Sequence, residues 1–73
     1  MTDPAVLDTR GLLCPVPIIR LAAFVPTLPV GAVVRVLADD PAARLDIPAW
    51  CRLRGQDYLG SPADGEHLIR RAV

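Results

Sequence analysis

The segment TRGLLCPVPIIR, residues 9–20, sets a cysteine directly ahead of two prolines that flank one residue, at the point where an apolar helical pattern begins. Proline has no N–H to lose and a helical φ already in place, so it is tolerated at no cost in the first turn of a helix. Cys14 therefore reads as the N-cap, Pro15 as the first helical residue and Pro17 as a second lock on the same turn. The amides of Val16 and Ile18 are left at that terminus with the positive end of the helix dipole. A sulfur held there is favoured as the anion, which predicts a Cys14 pKa below the free value of about 8.5. Arg20, a turn and a half further on, adds a weaker positive contribution. The motif alone leaves a second reading open, in which Cys14 is a small buried apolar residue and the prolines merely start a helix. The Gly11-Leu12-Leu13 turn favours an exposed cysteine.

Working outward, AVLD (residues 5–8) reads as a short strand feeding the turn, and Ile18, Leu21, Ala22, Val25 and Leu28 follow helical spacing as one buried face. Pro26 and Pro29 close that helix, with Pro26 ending or kinking it early. VGAVVRVLA (residues 30–38) is a strand whose Val34, Val36 and Ala38 share a wholly apolar face, while Val33, Arg35 and Leu37 share a mixed one. In DDPAARLDIPAWCRLRG (residues 39–55), Asp40 before Pro41 resembles a cap and first helical residue, and Asp46 before Pro48 offers a second start. The spacing predicts a loose turn from Pro41, a firm helix over Ile47 to Leu53 and a left-handed stop at Gly55. QDYLG and EHLIRRA, joined by SPADG, form a terminal hairpin. The order β-α-β-α-β-β predicts an α+β fold: a two-layer α/β sandwich with a four-stranded mixed sheet and both helices on one face.

Seventy-three residues hold one core, since a chain this short buries only about 60% of its unfolded surface. Eight basic residues, all arginine, balance eight acidic ones, which argues against binding nucleic acid by phosphate neutralisation. No stretch approaches the ~20 apolar residues of a membrane span or matches a signal peptide, so a cytoplasmic location is expected. In that compartment a Cys14–Cys51 disulfide is not expected, and two cysteines without a spaced histidine make a poor zinc site. Cys51, beside Trp50 in mid-helix, reads as a packed core thiol, and His67 as a surface or half-buried residue rather than a catalytic base. Asp39, Asp40 and Asp46 read as helix-start acceptors rather than a metal cluster. Ile19 and Phe24 lie off the main stripe, either as a docking surface or as the rim of the core.

LDTRGLLCPVPIIR, ADDPAARLDIPAWCRLRG and LIRR together resemble the TusA/SirA-type sulfur carriers, from Val6 to Arg71. The resemblance implies a single sulfur-carrier domain over residues 1–73, in which Cys14 holds sulfur as a persulfide, with Pro15, Pro17 and Arg20 as supporting motif residues. It implies a relay protein rather than a stand-alone turnover enzyme, with no cofactor and no metal. Its partners are a donor, either a cysteine desulfurase or another sulfurtransferase such as a rhodanese, and an acceptor relay protein, as in tRNA thiolation or sulfur metabolism. A monomer without direct nucleic-acid contact suits that role. The first helix departs from the family pattern, because Arg20 stands nearly alone and Ala22 and Ala23 follow it, so a partner that docks on helix charges is expected to differ. The rival reading is a regulatory or RNA- or protein-binding module using Arg20, Arg52, Arg54, Arg70 and Arg71, with Cys14 silent. A thiol redox switch is a third, and requires a partner thiol.

Overall fold

Strict alternation makes Val33–Leu37 (β2) the spine of the sheet: Val34 and Val36 are buried while Arg35 between them faces solvent. The computed structural model describes residues 4–73. Ala5–Asp8 (β1) lies parallel to β2, pairing Val6 with Arg35 and Leu7 with Val36. On the other side Glu66–Arg70 (β4) runs antiparallel to β2, and Asp57–Gly60 (β3) closes the hairpin antiparallel to β4. The strand order is β1-β2-β4-β3, a mixed four-stranded sheet. The register of β3 on β4 slips between Tyr58 and Gly60, where Gly60 takes φ +121°.

Parallel neighbours need a crossover, and Val16–Phe24 (α1) supplies it. Leu21 and Val25 of the expected stripe are fully buried, with Ile18, Ala22 and Leu28 packed at its margins. The helix stops at Phe24 and tightens into a 3-10 turn over Val25–Thr27 that carries Pro26, as the proline predicts. Ala43–Arg54 (α2) buries Ala43, Ile47, Trp50 and Cys51, one stripe at helical spacing. Both helices cover the same face, where these side chains meet Val34, Val36 and Ile69. Gly55 ends α2 in the left-handed conformation at φ +73°, as expected.

Two expectations need correction. α2 begins at Ala43 and passes through Pro48 instead of starting near it. Pro48 has no N–H for the carbonyl of Arg44, yet the stripe from Ala43 to Cys51 is continuous, and burying it against the sheet outweighs the one missing bond. His67 is not at the surface: it is 3% exposed, opposite Val36 on the face that carries Ile69. β4 is the last strand in sequence but an inner strand of the sheet, which is why its alternate residues His67 and Ile69 are buried. The Tyr58 hydroxyl lies 2.9 Å from His67 Nδ1, giving the buried ring a polar partner.

The chain end is stitched back. Gln56 Oε1 accepts the amide of Ala72 at 2.6 Å, and Arg71 donates to the carbonyls of Pro26 and Leu28.

Two outcomes follow from this packing. Leu21→Ala removes a fully buried side chain between the layers and is expected to lower unfolding free energy by about 2–5 kcal/mol, read from urea denaturation. Burial, with a smaller effect from Arg44, holds His67 below its ordinary pKa of 6.5. The unfolded chain therefore takes up this proton first, so stability is complete above about pH 6.5 and falls as pH drops below it. The urea midpoint is expected to decline from pH 7 to pH 5 in the wild type and to stay nearly level in His67→Gln. Equal slopes for the two proteins would contradict a neutral buried ring. The depressed carboxyls of Asp8 and Asp40 titrate below their ordinary 3.8, outside that window.

Candidate functional site

The turn that presents Cys14 is fastened at both ends. Thr9 is completely buried, and its amide and hydroxyl both donate to the carbonyl of Leu37 at 2.7 Å. Arg10 folds back on Asp8, with Nη2 at 2.7 Å from Oδ2 and Nε at 3.0 Å from Oδ1, which holds the Asp8 carboxyl down to about 2. Gly11, at φ +83°, turns its amide toward the Asp39 carboxylate at 3.0 Å. Cys14 then donates its own amide to Asp40 Oδ2 at 2.6 Å. Asp40 also accepts the amide of Ala42 at 3.0 Å, so one carboxylate joins the cysteine turn to the approach of α2.

The helix start differs from the expected one. Pro15, not Cys14, is the N-cap of α1, and no side chain caps it. Val16 donates its amide to the carbonyl of Leu13 at 3.0 Å, so that amide is taken by the turn. Pro17 is buried in the first turn, while Arg20 is exposed on α1 and is not among the groups acting on the thiol.

Cys14 is exposed, but its Sγ donates to Oδ2 of Asp46, which stands in the first turn of α2. The expected low pKa is overturned: the contact with Asp46, then partial loss of hydration and the charges of Asp46 and Asp40, push the thiol up to about 11. A carboxylate stabilises the protonated donor and repels the thiolate. The expected helix-start role of Asp39, Asp40 and Asp46 is corrected: Ala42 is the N-cap of α2 with no side-chain cap, and only Asp40 accepts an amide at its approach. Asp39 holds Gly11, Asp40 holds the Cys14 backbone, and Asp46 holds the Cys14 sulfur.

Beside the sulfur, Pro15 and Ile18 of the first helical segment face Ala49, Trp50 and Leu53 of α2 across an open groove of about 300 Å³ that Asp46 also lines. Leu13 is 73% exposed and Leu53 79%, so the cysteine sits in an apolar surround that solvent reaches. Of the two residues off the helix stripe, Ile19 is 61% exposed and Phe24 packs on the core. Cys51 is buried as a core thiol, and burial pushes it up to about 11 as well. Thr9, Trp50 and Leu53 are site residues that the sequence reading did not single out. The signal for Thr9 was its place as the last residue before the turn, in line with the buried strand; Trp50 and Leu53 carried only a helical spacing from Asp46.

The sequence model of the family described as Sulfurtransferase TusA matches residues 5–71. The chain is 41% identical over 63 residues to the sulfur carrier protein TusA of Pseudomonas putida (strain GB-1), covering 86% of this chain and 79% of that protein. It is 44% identical over 63 residues to the sulfur carrier protein TusA of Pseudomonas entomophila (strain L48), covering 82% and 79%. Against YrkF of Bacillus subtilis (strain 168) it is 38% identical over 74 residues, covering 97% of this chain but 40% of that longer protein. A match that runs from β1 to the residue after β4, and so includes every element that builds the cysteine turn and its groove, makes this chain a member of the TusA sulfurtransferase family.

Proposed function

We propose that this protein is a sulfur carrier that holds sulfur as a persulfide on Cys14 and passes it between a donor and an acceptor protein. The observation that carries the reading is the contrast between its two thiols: Cys14 is exposed at the mouth of an apolar groove, and Cys51 is sealed in the core. Membership of the TusA family and relatives named as sulfur carriers support the same role. Donors of the matching chemistry are cysteine desulfurases and rhodanese-type sulfurtransferases, which present a cysteine persulfide. The acceptor is a relay protein with a thiol, in tRNA thiolation or sulfur metabolism, in a cytoplasmic relay that a monomer can serve.

In loading, Cys14 Sγ attacks the outer sulfur of the donor persulfide, and the donor S–S bond breaks as the new one forms. The thiol proton ends on the departing donor cysteine, so one persulfide and one thiol become another persulfide and another thiol with no net oxidation. Unloading is the same exchange run onto the acceptor. Pro15 and Pro17 fix the direction in which the sulfur leaves the turn, and the exposed Leu13, Ile19 and Leu53 give a partner an apolar footing.

The rival reading as an arginine-based RNA- or protein-binding module has less to stand on. Arg70 is paired with Asp57 at 2.7 Å and Arg71 is spent on backbone carbonyls, which leaves Arg20, Arg52 and Arg54 of the five proposed residues with neither an ion pair nor a side-chain hydrogen bond among the described residues.

Intact mass after incubation with a cysteine desulfurase and cysteine, and separately with a thiosulfate-fed rhodanese, tests the carrier role. The expected result is a reducible gain of one sulfur atom in wild type and Cys51→Ser, absent in Cys14→Ser. No gain from either donor, or an equal gain in Cys14→Ser, would overturn the assignment.

A further inference from the structure

Nothing in a sulfur carrier's task requires a carboxylate against the carrier sulfur, yet α2 places one there. Asp46 reaches Cys14 across 32 residues of sequence and accepts a hydrogen bond from its thiol. Among the described residues Asp46 makes no ion pair and no other side-chain hydrogen bond, so its carboxylate is committed to the thiol. The groups facing Cys14 are all of one sign. Asp46 comes from α2 and Asp40 from the connection before it; Asp39, beside Asp40, holds Gly11; and Arg10, the cation in the cysteine's own turn, is engaged by Asp8.

We propose that Asp46 is a positioning residue that holds the unloaded Cys14 as a protonated thiol, turned toward α2 and protected from adventitious electrophiles, until a donor persulfide occupies the groove. The proposal rests on the sulfur-carrier reading and adds a control to it. A thiol reacts through its thiolate, so a carboxylate that keeps the proton on sulfur slows alkylation and oxidation by any small reagent in solution. A donor persulfide differs from such a reagent in one respect: its departing cysteine is itself a base next to the attacking sulfur. The S–H bond of Cys14 breaks as its S–S bond forms, and the proton passes to the donor sulfur whose S–S bond is breaking. The exchange balances without an outside base, so Asp46 suppresses stray reactions more than it suppresses loading.

The size of the effect follows from the two opposing consequences of proton affinity. Releasing the thiol from about 11 to its ordinary 9.0 raises the thiolate fraction at pH 7 about a hundredfold, while the weaker nucleophile loses about tenfold. The net gain is at most about tenfold, reached only if the full rise came from Asp46.

The test is the pH profile of iodoacetamide alkylation of Cys14, with the modified residue identified by mass, in wild type, Asp46→Asn and the distant control Asp57→Asn. Wild type and control are expected to keep accelerating through pH 10. Asp46→Asn is expected to level off sooner, by up to about two pH units, and to alkylate faster at pH 7, by up to about tenfold, because desolvation and Asp40 keep part of the rise. An unchanged or slower Asp46→Asn overturns the proposal. So does a wild-type profile that levels off near pH 8.5, a measurement that stands whether or not the variant folds. The same proteins are loaded from the desulfurase: faster alkylation without sulfur uptake would sink the carrier role and leave the hold of Asp46 on the thiol intact, whereas normal uptake with an unchanged profile would do the reverse.

Discussion

The site exists because β1 and β2 are parallel neighbours. Parallel strands end at the same edge of the sheet, so the segment leaving β1 and the segment leaving β2 emerge side by side. The first carries Thr9 to Pro15 and the second Ala38 to Ala42. Their backbones have polar groups to satisfy at the surface of a small domain, and each helps the other: Leu37 accepts from Thr9, Asp39 from Gly11 and Asp40 from Cys14. An antiparallel pairing of the same strands would have put these loops at opposite ends, and Cys14 would have met none of the three acidic residues.

That adjacency decides the electrostatics of the sulfur. A helix N-terminus at a surface site is worth at most about 1 kcal/mol to an anion, less than one pH unit. Here even that small contribution is weakened, because Pro15 separates Cys14 from the helix and the Val16 amide is taken by Leu13. A carboxylate in hydrogen-bond contact acts at far shorter range and with a full charge. The result is a thiol raised from 9.0 to about 11 at a motif that, read by itself, favours the anion.

The parts of the molecule legible in the sequence are those fixed by local periodicity and backbone chemistry. Alternation picked out Val34 and Val36, helical spacing picked out Leu21 and Val25, and the φ of Gly55 was implied by its place after a helical run. The element order followed from these. What the sequence hid depends on which strands and loops become neighbours. His67 lies on a strand that is terminal in the chain and interior in the sheet, so its burial is a fact of strand order. Asp46 looked like a helix-start acceptor because nothing local says that a sulfur 32 residues earlier stands beside it. Pro48 looked like a boundary because a proline interrupts hydrogen bonding locally, whereas the apolar stripe it interrupts is held by the sheet beneath.

Core and site share walls, which limits how independently either can change. Trp50 is 8% exposed and belongs to the core, yet it also lines the groove beside Cys14. Its Nε1 is buried with no acceptor among the described residues. An unpaired buried donor costs about 1–3 kcal/mol. A buried indole removes roughly 150–250 Å² from water, worth about 4–6 kcal/mol at 25 cal/mol per Å². The apolar gain exceeds the polar penalty, so the tryptophan is kept for its area. Its ring also forms one wall of the groove beside the sulfur. The side chain that stabilises the helix layer is thus the same one that walls the groove beside Cys14.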